Sequence, residues 1–279
     1  MLLTIYLPAI FGASILGGWL PRRFHMTHTR TQLVMSLVAG LMLGVAFFHL
    51  IPHAALSKTA NIDFAMAWVM AGLVFMLVLL RLFHFHQHDF DESHAHCGEG
   101  GANAHSHEHA HDHSHSQPPG GPFTWMGLLL GLGIHTVVDG IALGAVMRAD
   151  PVAESGILGL GVFLAILLHK PLDALSIETV LAASGQSPRY RHWVNLVFSL
   201  MCPVAAIIFW YFMELSPSDG RILAAALAFS AGAFICIALG DLLPEIQFHS
   251  HDRAKLTVLF ILGIALAWSI GAVEPAHAL

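Results

Sequence analysis

The chain has 279 residues, 56% hydrophobic and only 11% charged, with a formal net charge of −6 and a mean hydropathy of +0.69. That balance excludes an ordinary soluble globular domain, and the missing basic footprint excludes a nucleic-acid partner. What remains is an all-α polytopic membrane protein whose first partner is the lipid bilayer.

Crossing about 30 Å of hydrocarbon takes roughly 17 to 25 helical residues. Apolar runs of that length fall at 2–20, 31–54, 64–83, 123–147, 155–183, 193–213, 221–243 and 254–273. Eight transmembrane helices are therefore expected in one membrane domain: three over 1–83, a polar loop over 84–121, and five over 122–279. The first run is not read as a signal peptide, because no Lys or Arg precedes it and Arg22, Arg23 and Arg30 come after it.

Alternate loops differ in charge. One set holds Arg22, Arg23, Arg30, Arg81, Arg189, Arg191, Arg253 and Lys255, the other Lys58, Arg148 and Arg221. By the positive-inside rule both termini are extracytoplasmic and the 84–121 loop is cytoplasmic. Integration in the plasma membrane, the bacterial inner membrane, is the expected location. Cys97, Cys202 and Cys236 lack metal-knuckle spacing and imply no disulfide framework.

In the second run, Met42, His49 and His53 stand at i, i+7 and i+11 and are expected on a single helical stripe. The Met42 thioether could soften a metal site, although apolar packing is the commoner use of such a methionine. His49 and His53 suit a staging post for metal.

The 84–121 loop alternates histidine at His105, His107, His109, His111, His113 and His115. It has no apolar period, so it is read as a disordered cytoplasmic segment that binds borderline metals weakly, as a buffer or sensor. An incidental polar linker is the alternative.

The fourth run contains His135 and Asp139, and the fifth, LLHKPLDALS, contains His169 and Asp173. Each pair is four apart, one turn on one helical face. Ionisable groups at mid-bilayer cost roughly 2.5 to 3.5 kcal/mol each even on the lenient insertion scale, and so mark function. Two imidazoles and two carboxylates can hold one divalent ion if the two helices face each other. The bland alternative is a His–Asp hydrogen bond serving as packing glue.

Pro171 is expected to free the Leu167 carbonyl and open the helix locally. Lys170, deep in an apolar span, is expected to reach Asp139 or Asp173 and stand where a second cation could. In the seventh run Asp241 and Glu245 are four apart, with His249 and His251 beyond them, and read as a second relay.

These residues resemble the ZIP family of divalent metal transporters, in its prokaryotic-type form, over nearly the whole chain. HTVVDG matches the fourth-helix pattern H-N-x-x-[DE]-G, HKPLD the fifth-helix H-E-x-P-[HE], HLIPH the second-helix H-L-x-P-E, and DLLPE the seventh-helix pattern. The resemblance implies a principal metal site at His135, Asp139, His169 and Asp173 with Met42 as a further ligand. It also implies a polar path toward the cytoplasm through His49 and Asp241, an elevator-like movement of the fourth and fifth helices, and a homodimer.

Three departures are evident. Thr136 stands in place of Asn, Lys170 in place of an acidic residue, and the fifth-helix proline falls one residue early. The first two positions belong to the family's adjacent second metal site, so a mononuclear site is expected.

The expected activity is uptake of zinc, with Fe2+, Mn2+, Co2+ and Cd2+ also suited to the ligand types. The metal is cargo and not a cofactor. Affinity should fall with pH, since histidine must lose its proton to bind. No nucleotide-binding G-x-x-x-x-G-K-[ST] is present, so ATP-driven pumping is not expected. The rivals are a cation-diffusion-type exporter, a metal sensor built on the loop, and an intramembrane metal-dependent hydrolase using Ser176 or Glu178; an enzyme is not expected.

Overall fold

The computed structural model describes residues 2–19, 28–57, 60–83, 122–149, 159–215, 220–242 and 253–273. Among them there is no strand. Helix α1 is Leu3–Trp19, and α2 runs over 28–55 as His28–Val45, a π turn at Ala46–Leu50, and Ile51–Ala55. Next come α3 (Ile62–Phe83), α4 (Pro122–Ala149), α5 (Leu160–Ala183) and α6 (Pro188–Leu215). Helix α7 is Gly220–Ile237 continued by a π turn at Ala238–Leu242, and α8 is Arg253–Val273.

Seven of these helices, α2 to α8, are long and apolar enough to cross a membrane, against the eight expected. The remaining one, α1, has 17 residues, about 25 Å at 1.5 Å per residue, the lower limit for a span. The tryptophans sort to helix ends: Trp19, Trp125 and Trp193 near the end of α1 and the starts of α4 and α6, Trp68, Trp210 and Trp268 near the start of α3 and the ends of α6 and α8. Amphipathic rings gather in this way at the two membrane–water interfaces.

The most extensive helix pairings are α2 with α8, α3 with α7, α4 with α6, and α1 with α5. Two are built alike. Gly40 lies against the Phe260 carbonyl and Gly263 against that of Leu37; likewise Gly72 lies against the Phe229 carbonyl and Gly232 against that of Val69. A side chain at any of the four would overlap partner backbone, so glycine lets the helices approach to van der Waals contact.

The likeness is written in the chain. LVAGLMLGVAFFHLIP ending at Pro52 and FSAGAFICIALGDLLP ending at Pro244 align without a gap, π turn on π turn. Helix α2 with its partner α8 thus repeats as α7 with its partner α3. Because equivalent helices are offset by five, an odd number, the two copies run in opposite directions.

Two expectations are corrected here. The π turn of α2 inserts a residue between Met42 and His49, rotating the remainder of the helix by roughly 100°, so the two do not share one stripe. Pro171 does not open α5, which continues from Leu160 to Ala183; the irregular backbone lies instead in the π turns before Pro52 and Pro244.

Candidate metal centre

Helices α4 and α5 are antiparallel neighbours. Gly159, in the left-handed region at φ 68° and packed on Val146 and Met147, starts α5 beside the end of α4. Running in opposite senses, the two H-x-x-x-D faces meet crosswise, His135 beside Asp173 and Asp139 beside His169.

One ligand atom from each of His135, Asp139, His169 and Asp173 lies within 4.8 Å of all the others. His135 Nε2 is 3.4 Å from Asp139 Oδ2 and 3.6 Å from Asp173 Oδ2, and His169 Nε2 is 3.1 and 3.8 Å from the same two oxygens. Four ligands about 2.0–2.1 Å from one zinc ion sit about 3.3 Å apart. The four measured edges bracket that value. Asp139 is fully buried and the two histidines are 4% exposed, while Asp173 is partly exposed.

Lys170 reaches both carboxylates, not one. Its Nζ is 2.5 Å from Asp139 Oδ2 and 2.9 Å from Asp173 Oδ2, and it donates to Thr136 Oγ1 at 3.0 Å. An ammonium has three donors, and all three are used. Its remaining side faces the Phe198 ring, 5.7 Å from the centroid. The two positions that depart from the family pattern, Thr136 and Lys170, therefore bond to each other.

Further groups were not foreseen. His169 Nδ1 donates to the Ala165 carbonyl at 2.7 Å, a bond open to any helical histidine and so invisible as a sequence signal. Phe198 comes from α6, and nothing in its local sequence points to a cation.

Met42 is fully buried in the main apolar core, together with Val138, Ala165 and Ile166 of α4 and α5. His49 is buried, with Nε2 at 2.9 Å from the Ala267 carbonyl, donating when protonated there. Its ring packs on Gly161 at the start of α5 and Gly271 near the end of α8. His53 is half-buried one turn further on.

The π turn bearing Asp241 belongs to the opposite end of the bundle, where Gly240 meets Leu80 near the end of α3. The inverted repeat thus sends the turns bearing His49 and Asp241 to opposite ends of the bundle. The side chain of Asp241 lies outside the described residues, as do Glu245, His249, His251 and the histidines of the 84–121 loop.

The hydrolase candidates stand apart from the cluster. Ser176 Oγ donates to the Leu172 carbonyl at 3.0 Å, and Glu178 pairs with Arg191 at 3.5 Å. Neither is in the group of ligand atoms.

Zinc transporter ZIP1 of Takifugu rubripes is 32% identical over 142 residues, covering 50% of this chain and 44% of its own length. Zinc transporter ZIP9 of Micropogonias undulatus is 34% identical over 131 residues, 45% of this chain and 40% of its own. Zinc transporter ZIP9 of Macaca fascicularis is 35% identical over 130 residues, 44% of this chain and 53% of its own. The chain thus spans about half the length of the curated relatives it matches. Their animal sources lend no support to the prokaryotic-type subdivision or to a bacterial inner membrane. A family profile described as ZIP Zinc transporter matches residues 2–271, nearly the entire chain, and with the buried His/Asp cluster in place the protein belongs to the ZIP zinc transporter family.

Proposed function

We propose that the chain carries a divalent transition metal, zinc first, from outside into the cytoplasm through a single-metal site made by His135, Asp139, His169 and Asp173. The observation that carries the reading is the cluster itself: four ligand atoms, three from buried residues and the fourth from partly buried Asp173, spaced as a tetrahedral ion requires, midway along two apolar helices. The relatives' names supply zinc as the cargo.

Lys170 supports the single-metal reading. A second dication about 4 Å from its ammonium would be repelled by roughly 8 kcal/mol at an effective dielectric constant of ~20. The ammonium takes its place on the shared carboxylate oxygens. With two carboxylates and one ammonium the empty site carries one negative charge, and a bound dication leaves one positive charge.

Alternating access fits the pairing of helices. Helices α1, α4, α5 and α6 pack chiefly on one another, while α2 pairs with α8 and α3 with α7; contacts between the two groups are less extensive. The α4–α5 body would move against the other, with eight spans, extracytoplasmic termini, a plasma-membrane location and a homodimer as parts of the same proposal. Met42 would join the ligands, His49 and His53 would serve one end of the path, and Asp241 and Glu245 the other. The loop histidines His105 to His115 would buffer metal at the cytoplasmic face.

The test is zinc flux into liposomes holding purified protein. Wild type accumulates zinc down an inward gradient, while His169→Ala and Asp139→Ala fall to background. Unchanged flux in either variant defeats the site. Flux only in the outward sense favours an exporter, and loss of flux on deleting residues 86–117 favours a loop-based sensor.

A further inference from the structure

We infer that the two imidazoles of the centre are unequal: His169 is a held ligand, and His135 is the exchangeable one through which the metal enters and leaves. The inference rests on the reading of the cluster as the metal site.

The asymmetry lies in the second ring nitrogen. A carbonyl only accepts, so the bond from His169 Nδ1 to the Ala165 carbonyl, 2.7 Å, puts the proton on Nδ1. With Nδ1 held there, Nε2 faces the cluster, 3.1 Å from Asp139 Oδ2. A ligating histidine is ordinarily oriented by such a bond, which sets both its tautomer and its ring plane.

His135 stands in the same H-x-x-x-D spacing, yet among the described residues its buried Nδ1 has no hydrogen-bond partner. The Nε2 distances do not separate the two rings: 3.4 and 3.6 Å from Asp139 and Asp173 Oδ2 for His135, against 3.1 and 3.8 Å for His169. Among the described residues nothing holds the His135 ring through Nδ1, and no hydrogen bond there is broken when the ring turns away.

Both carboxylates are held by the same ammonium, Asp139 Oδ2 at 2.5 Å and Asp173 Oδ2 at 2.9 Å. The difference between the two helices therefore lies in the imidazoles, and the bound ion would remain with His169 while the His135 imidazole comes and goes.

Losing the partner that orients a ligating histidine typically costs 10- to 100-fold in metal affinity, which sets the asymmetry expected between the two residues. Zinc affinity by chelator competition and zinc release by stopped flow are compared for full-length wild type, His135→Gln and His169→Gln. The loop histidines are common to all three proteins, so differences report the buried site. His169→Gln should bind at least 100-fold more weakly, and His135→Gln about 10-fold more weakly, mainly through faster release.

Equal losses, or a larger loss in His135→Gln, overturn the inference. No change in either variant overturns the metal site itself, a distinct result. Should His169→Gln fail to unfold cooperatively, His169→Asn, whose amide can still donate to the Ala165 carbonyl, takes its place.

Discussion

The Lys170 ammonium lies 2.5 Å from Asp139 Oδ2, the oxygen that His169 Nε2 approaches to 3.1 Å. One carboxylate oxygen thus serves the protein's own cation and the face where a metal would bind. The lysine is not a stray charge beside the site but a standing member of it.

Removing that cation should be costly when no metal is present. Lys170→Met leaves Asp139 and Asp173 facing each other with Asp139 fully buried, and breaking a buried pair by deleting one partner costs about 3–5 kcal/mol. Metal-free Lys170→Met should therefore melt well below wild type, and saturating zinc should restore most of the difference. Equal melting of the two metal-free proteins would show that the ammonium does not hold the carboxylates.

Replacing both departures should change the stoichiometry. Thr136→Asn with Lys170→Glu turns an ammonium cage into an acceptor set on the same carboxylates. The double variant should bind one metal more than wild type, measured by elemental analysis after desalting. An unchanged count would mean that a charge at Lys170 is not what limits the site to one ion.

Metal affinity should fall as the medium is acidified. Both imidazoles must be unprotonated to bind, so binding releases protons and added protons oppose it. Zinc binding measured between pH 8 and pH 5 should weaken steadily toward pH 5, and less steeply in His169→Ala, which has one imidazole fewer. A flat profile would exclude histidine ligation.

The glycine crossings should be intolerant in a position-specific way. A Cβ at Gly232 overlaps the Val69 carbonyl, whereas one at Gly12 meets nothing within 4 Å. Gly232→Ala should lose about 1–3 kcal/mol through overpacking. Gly12→Ala should be neutral or gain up to about 1 kcal/mol from helix propensity. Thermal unfolding of the two variants compares them directly, and equal effects would remove the crossing as the cause.

Much of the centre was legible because its determinants are local. The H-x-x-x-D spacing puts His135 with Asp139, and His169 with Asp173, on one face each, and an ionisable group in an apolar run announces itself by its insertion cost. The stripe through Met42, His49 and His53 misled for the same reason: counting by α-helical turns assumes an unbroken α-helix, and the π turn at Ala46–Leu50 inserts a residue. Pro171 misled in the other direction: the helix runs through it from Leu160 to Ala183.

By itself the sequence determined the membrane class, the helix limits to within about five residues, the four polar residues of the centre and the likeness of α2 to α7. Those rest on hydropathy, periodicity and repeated words, all short-range along the chain. Only the tertiary structure decided that His135 faces Asp173, that Lys170 uses all three donors on Asp139, Asp173 and Thr136, that Phe198 covers it, and that the turns bearing His49 and Asp241 belong to opposite ends. Those outcomes depend on how helices distant in sequence run and cross, and that is set by the glycine contacts and the inverted repeat together.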